Sequence, residues 1–230
     1  NIYNLSYYGF LSPIILLSYL FPFISMVNYI TITNIVIIII SGILFYNFLQ
    51  NHKFNNILSL LGALLLVLSA PFIFHMHRHI MFVNYMPFLI MALMGVDNLF
   101  NKNTKTLLII SVFLMIMTSY YYSVGGIIVI GIYFIYSYFK INDKFVFKDF
   151  IKKLGVFIII VLISILMASI LLVPTLYTLL QGRGQSETNI DLVKILIPNL
   201  KFSKIFSGTY AIGLTVISFI SILYLFFTKK

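Results

Sequence analysis

Long charge-free runs of Ile, Leu, Phe, Val and Tyr alternate along the chain with short segments that gather the Lys, Arg, Asp and Glu residues. A charged side chain costs about 2.5 to 3.5 kcal/mol at the centre of a bilayer, so charges punctuate membrane spans. Apolar runs of about 18 residues or more mark a spanning helix. On this basis the pattern predicts seven spans: Tyr29 to Leu49, Ile57 to Phe74, Ile80 to Val96, Thr106 to Tyr120, Tyr122 to Phe139, Leu154 to Leu172 and Tyr210 to Phe227. Residues 1–28 then form an outer loop, in which Ile14 to Phe21, between Pro13 and Pro22, is too short to span and is expected to be interfacial or re-entrant. Residues 29–180 form a six-helix core, 181–207 an outer loop and 208–230 the seventh span, all within one integral membrane domain of 1–230.

The uncharged stretch between Lys105 and Lys140 sets the topology. One straight helix there would be about 51 Å long at 1.5 Å per residue, too long for a hydrocarbon core of about 30 Å. A hairpin at Tyr120, Tyr121, Tyr122 and Ser123, with Gly125 and Gly126 just beyond, divides it into two spans. With seven spans, Lys53, Lys102, Lys105, Lys140, Lys144, Lys148, Lys152, Lys153, Lys229 and Lys230 share one side. Arg78, Arg183, Lys194, Lys201 and Lys204 share the other. The lysine-rich side is expected to be cytoplasmic.

Composition agrees with this reading. Residues are 61% hydrophobic and 9% charged, with a mean hydropathy of +1.08, whereas soluble domains carry about 25% charged residues. The net charge of +10 therefore reads as topology and attraction to anionic lipid, at roughly 1 kcal/mol per residue, and not as nucleic-acid binding. There is no cysteine, which excludes disulfides and thiolate chemistry. The chain opens on Asn1 without an initiator Met or a charged leader, so it is read as an internal piece of a longer protein.

Two polar constellations could carry chemistry, both expected on the outer side. The first is FHMHRHIMF, with His75, His77, Arg78 and His79. On a helix His75 and His79 share a face, and Arg78 offers a fixed charged fork for phosphate. A polar turn at headgroup level and a zinc site are alternative readings, although no Cys and no nearby carboxylate completes a metal set. The second is LLVPTLYTLLQGRGQSE, in which Pro174 ends or kinks a helix and Arg183 stands between two glycines, placed to clamp a phosphate or to snorkel to the interface. Asn84 and Tyr85, one turn before Pro87, are placed to line the same outer cavity or to pack between helices. Of the five carboxylates, Asp97, Asp143 and Asp149 fall on the lysine-rich side, leaving Glu187 and Asp191 on the outer one. Phosphate-loop, hydrolase-elbow and zincin patterns do not occur.

The segments NLSYYGFLSP, FHMHRHIMFVNYMPFLIMAL, MTSYYYSVGGI, LLVPTLYTLLQGRG and GTYAIGL, in that order, resemble the YfhO family of bacterial membrane proteins. The resemblance implies an all-α, multi-pass bundle like the GT-C glycosyltransferases in the bacterial cell membrane. Such an enzyme takes a sugar from a polyprenyl-phosphate carrier and adds it to a cell-envelope polymer such as teichoic acid, alone or alongside other envelope glycosylation proteins. It also implies Tyr7, Tyr8, His75, Arg78, His79 and Arg183 as substrate-binding residues, and a catalytic carboxylate upstream of Asn1, with no metal site assigned. The other readings are a transporter or flippase of a lipid-linked precursor and a non-catalytic membrane scaffold.

Overall fold

A computed structural model describes residues 11–78, 80–142, 145–180, 220, 221 and 224. Every regular element among them is helical. A short helix α1 (Pro13–Leu16) runs into a 3-10 turn (Leu17–Leu20), and then come α2 (Met26–Asn51), α3 (Asn56–Val67), α4 (Ala70–Arg78) and α5 (Ile80–Asn101). They are followed by α6 (Thr106–Thr118), α7 (Tyr120–Ile141), α8 (Phe147–Met167) and α9 (Ser169–Leu180). Four helices, α2, α5, α7 and α8, are long and apolar enough to cross a membrane. Ile32, Ile35, Ile39 and Ile43 of α2 point outward, as do Ile128, Ile132 and Ile135 of α7. An apolar exterior of this extent suits lipid as the solvent.

Helix α5 is the centre of the assembly. Half of its most apolar stretch is buried, against 22% to 28% for the other three long helices, and it packs on α2, α6 and α7. The main core joins Leu89, Ala92 and Val96 of α5 to Leu108, Val112, Met115 and Ile116 of α6, Ile130 and Phe134 of α7, and Phe157 and Ile160 of α8. The α5–α6 approach is closest at Gly95, where an added Cβ would meet the Leu108 backbone at 2.8 Å. Small residues allow such contact where lipid gives helices no hydrophobic reason to associate. Ser164 of α8 ties in as well, its hydroxyl 3.0 Å from the Ile109 carbonyl of α6.

Sequence boundaries and observed ones differ in instructive places. The expected hairpin is present: Ser119 is extended (φ −160°, ψ 108°) and accepts from the Tyr122 amide as the cap of α7. The return is antiparallel, since Phe134 lies 5.1 Å from Phe100, close to where α6 begins. The stretch Ile57 to Phe74 is broken into α3 and α4, because Pro71 cannot bond the Val67 carbonyl and its ring crowds it. The stretch Leu154 to Leu172 is divided at Ala168. Pro174 sits inside α9 and does not end it. Apolar surroundings penalise a free backbone carbonyl, so the helix gives up one bond and continues, with the Thr178 hydroxyl donating to the Pro174 carbonyl at 2.8 Å. Helix α5 runs on past Val96 to Asn101 and so carries Asp97. The 181–207 loop and the Tyr210 to Phe227 stretch lie outside the described residues, apart from residues 220, 221 and 224.

The lysine-bearing turns collect at one end of the bundle. Lys53 (φ 65°) and Asn103 (φ 52°) take the left-handed conformation in the α2–α3 and α5–α6 turns. In the first of these the Lys53 and Phe54 amides return to the Gln50 and Leu49 carbonyls, closing the helix end. Lys153 of α8 stands over the rings of Phe100 and Tyr138, 5.5 and 5.4 Å from their centroids.

Candidate functional site

The two ends of α5 carry two different polar groupings. Residues 82 and 97 are separated by about 22 Å along a helix of 1.5 Å rise.

At the N-terminal end of α5, α4 and the α6–α7 hairpin bring together segments that the sequence keeps about 45 residues apart. The His75 ring lies 4.7 Å from Phe82 and 5.2 Å from Phe74. Phe82 meets Tyr122 edge-on at 5.2 Å, and Tyr85 stacks on Tyr122 at 5.8 Å. Beside this aromatic group are two buried amides. Asn34 of α2 donates from Nδ2 to the Met76 carbonyl at 3.1 Å. Its Oδ1, and Oδ1 of Asn84, are buried with no hydrogen-bond partner. Carbonyl oxygens left so in an apolar bundle cost about 1 to 3 kcal/mol each unless a donor reaches them. Of the sequence-predicted residues, His75 is therefore placed at an aromatic, amide-bearing site. Arg78 is the last residue of α4, and its side chain lies outside the described set. Tyr7, Tyr8, His79 and Arg183 lie outside the described residues altogether. Among the described residues no three His, Asp or Glu side chains converge in a way that would hold a metal.

The other end carries a grouping that no sequence motif marks. The Tyr133 hydroxyl of α7 donates to Asp97 Oδ1 at 2.7 Å and lies 2.9 Å from His52 Nε2. His52 Nδ1 is 2.8 Å from the Phe48 carbonyl, which only accepts, so that nitrogen carries a proton. Nε2 also lies 3.6 Å from Asp97 Oδ2. Phe48 packs on the His52 ring at 4.6 Å and holds its orientation. The three residues come from α5, α7 and the turn after α2, at spacings with no local periodicity, so only the tertiary fold unites them. His52 and Asp97 border a cleft of about 300 Å³ whose wall also includes Asn98, Asn101, Lys102 and Lys140.

A family model described as bacterial membrane protein YfhO matches residues 1–230. No curated protein matches, and no solved structure does.

Proposed function

The chain belongs to the YfhO family of bacterial membrane proteins, and we infer that it forms the membrane core of a polyprenyl-phosphate-sugar-dependent glycosyltransferase acting on a cell-envelope polymer at the outer face. The observation that carries this reading is the grouping of His75, Phe82, Tyr85 and Tyr122 with the unpartnered carbonyl oxygens of Asn34 and Asn84. Aromatic faces suit a sugar ring or an isoprenoid chain, and amide oxygens accept from sugar hydroxyls. Arg78 is the last residue of α4 and supplies a cation for the carrier phosphate.

In this reading a general base takes the proton of an acceptor hydroxyl, whose oxygen attacks the anomeric carbon. The sugar–phosphate bond breaks, and the polyprenyl phosphate leaves with its charge stabilised by Arg78 and Arg183. Tyr7, Tyr8 and His79 complete the donor site. The chain passes the membrane seven times, with residues 1–28 as an outer loop and the lysine-bearing turns in the cytoplasm. Transport of the lipid-linked precursor is less well supported. A path through the protein would need polar lining, and Leu89, Ala92, Val112 and Ile116 fill the core between the two polar ends with apolar side chains.

The test is sugar transfer from a radiolabelled polyprenyl-phosphate donor in membranes of a strain whose chromosomal copy carries Arg78→Ala. Loss of a cation aimed at the leaving phosphate is expected to lower the rate by about 10². An unchanged rate at unchanged protein level refutes the assignment of Arg78.

A further inference from the structure

The cleft at the lysine-bearing end is set apart from the proposed donor site by most of the length of α5, and its lining has a chemistry of its own. In a chain that is 61% hydrophobic, the wall brings together Asn98 and Asn101 from the end of α5, Lys102 just after it, Lys140 near the end of α7, and His52 and Asp97, beside the apolar Met94 and Ile141. His52 and Asp97 are mostly buried, with side-chain exposures of 15% and 19%. They are built into the fold and are not chance surface charges.

Charge accounting across the cleft decides the sign of the occupant. Asp97 is already answered from within, by the Tyr133 hydroxyl on Oδ1 and by His52 near Oδ2. Among the described residues the only other ion pair is Lys153 with Asp149, elsewhere on this end. Neither Lys102 nor Lys140 forms an ion pair among the described residues, the Lys140 charge acting on Asp97 only from longer range, and both border the same space. Two ammonium groups against the single Asp97 carboxylate leave the lining with an excess of positive charge, which a further anion would balance. The asparagine amides add neutral N–H donors, which complete the coordination of a phosphate better than that of a simple halide.

Location narrows the chemistry further. The cleft opens where α2, α5 and α7 end, the level at which spanning helices meet lipid headgroups. Its volume of about 300 Å³ lies at the small end of ligand sites, suited to a phosphate carrying a short polar group and too small for a nucleotide sugar.

We propose that this cleft is a binding site for a phosphate ester of glycerophosphate size, with Lys102 and Lys140 flanking the phosphate and Asn98 and Asn101 donating to its oxygens. The same chemistry is offered by the headgroup of an anionic phospholipid and by a water-soluble phosphate ester. The proposal is independent of the sugar-transfer reading, since it uses none of the residues at the opposite end.

The test uses the full chain in nanodiscs. Retention of phosphatidylglycerol from a mixed phosphatidylglycerol and phosphatidylcholine bilayer is measured by native mass spectrometry. Binding of radiolabelled glycerol 3-phosphate is measured in phosphatidylcholine alone. The comparison is between Lys102→Gln/Lys140→Gln and a control of equal charge change on the same end, Lys148→Gln/Lys152→Gln. Retention or binding that falls at least about tenfold in the cleft variant, with the control unchanged, supports the site. The arm that responds identifies the source as lipid or soluble ester. Lys102→Arg/Lys140→Arg, which keeps both charges, is expected to retain binding, and this separates loss of charge from loss of fold. Equal losses in cleft and control variants, or no binding of either probe to the wild type, overturn the proposal.

Discussion

The Tyr133 hydroxyl is the residue-scale feature with the clearest consequence. It bridges α7 to Asp97 of α5 and to His52 at the end of α2, so a single oxygen holds three elements together. Hydrogen bonds to charged groups are worth about 1.5 to 3 kcal/mol, and a partner left unsatisfied adds desolvation. Tyr133→Phe keeps the ring packing against Phe48 and removes only that oxygen. It is expected to destabilise the protein by about 2 kcal/mol, read as a lower unfolding midpoint in detergent. Asn84 was legible as a polar position that could line a cavity or pack between helices, and Asn34 was not singled out. That their Oδ1 atoms are buried and lack partners depends on neighbours from other helices.

At the scale of elements, two glycines of similar appearance in sequence play different parts. Gly95 faces the backbone of α6, with Leu108 Cα and N at 2.8 Å from an added Cβ, and backbone cannot move aside without shifting the helix. Gly126 faces the end of the Met115 side chain, sulfur at 2.7 Å, which can swing away. Gly95→Ala is therefore expected to cost about 1 to 3 kcal/mol, the range for overpacking, and Gly126→Ala clearly less; parallel thermal unfolding of the two variants checks the order. The hairpin at Ser119 was readable from length, because an uncharged run much longer than the bilayer is thick has to turn. The breaks at Leu68–Ser69 and at Ala168 were not, since hydropathy is continuous across both. Pro71 accounts for the first only once its position in a helical first turn is known.

At the scale of the whole molecule, the prediction concerns sidedness. The protein lacks cysteine, so single cysteines report cleanly. Lys53→Cys, Lys102→Cys and Lys140→Cys, whose backbones share one end of the bundle, are expected to react with a membrane-impermeant maleimide only after the cell is opened. Labelling of all three in intact cells would invert the orientation, and a split among them would break the shared end itself.

The sequence by itself determined that the protein is a helical membrane bundle, that the 106–139 stretch folds back, and that the lysine-bearing turns fall together. Each follows from a cost per residue in lipid, which is local and additive along the chain. Tertiary structure alone decided that α5 is central, that His75 meets Tyr122's aromatic neighbours, and that His52, Tyr133 and Asp97 form one network beside a cleft. Those outcomes depend on which faces of separate helices meet, and hydropathy reads the same on every face of a helix that is apolar all round.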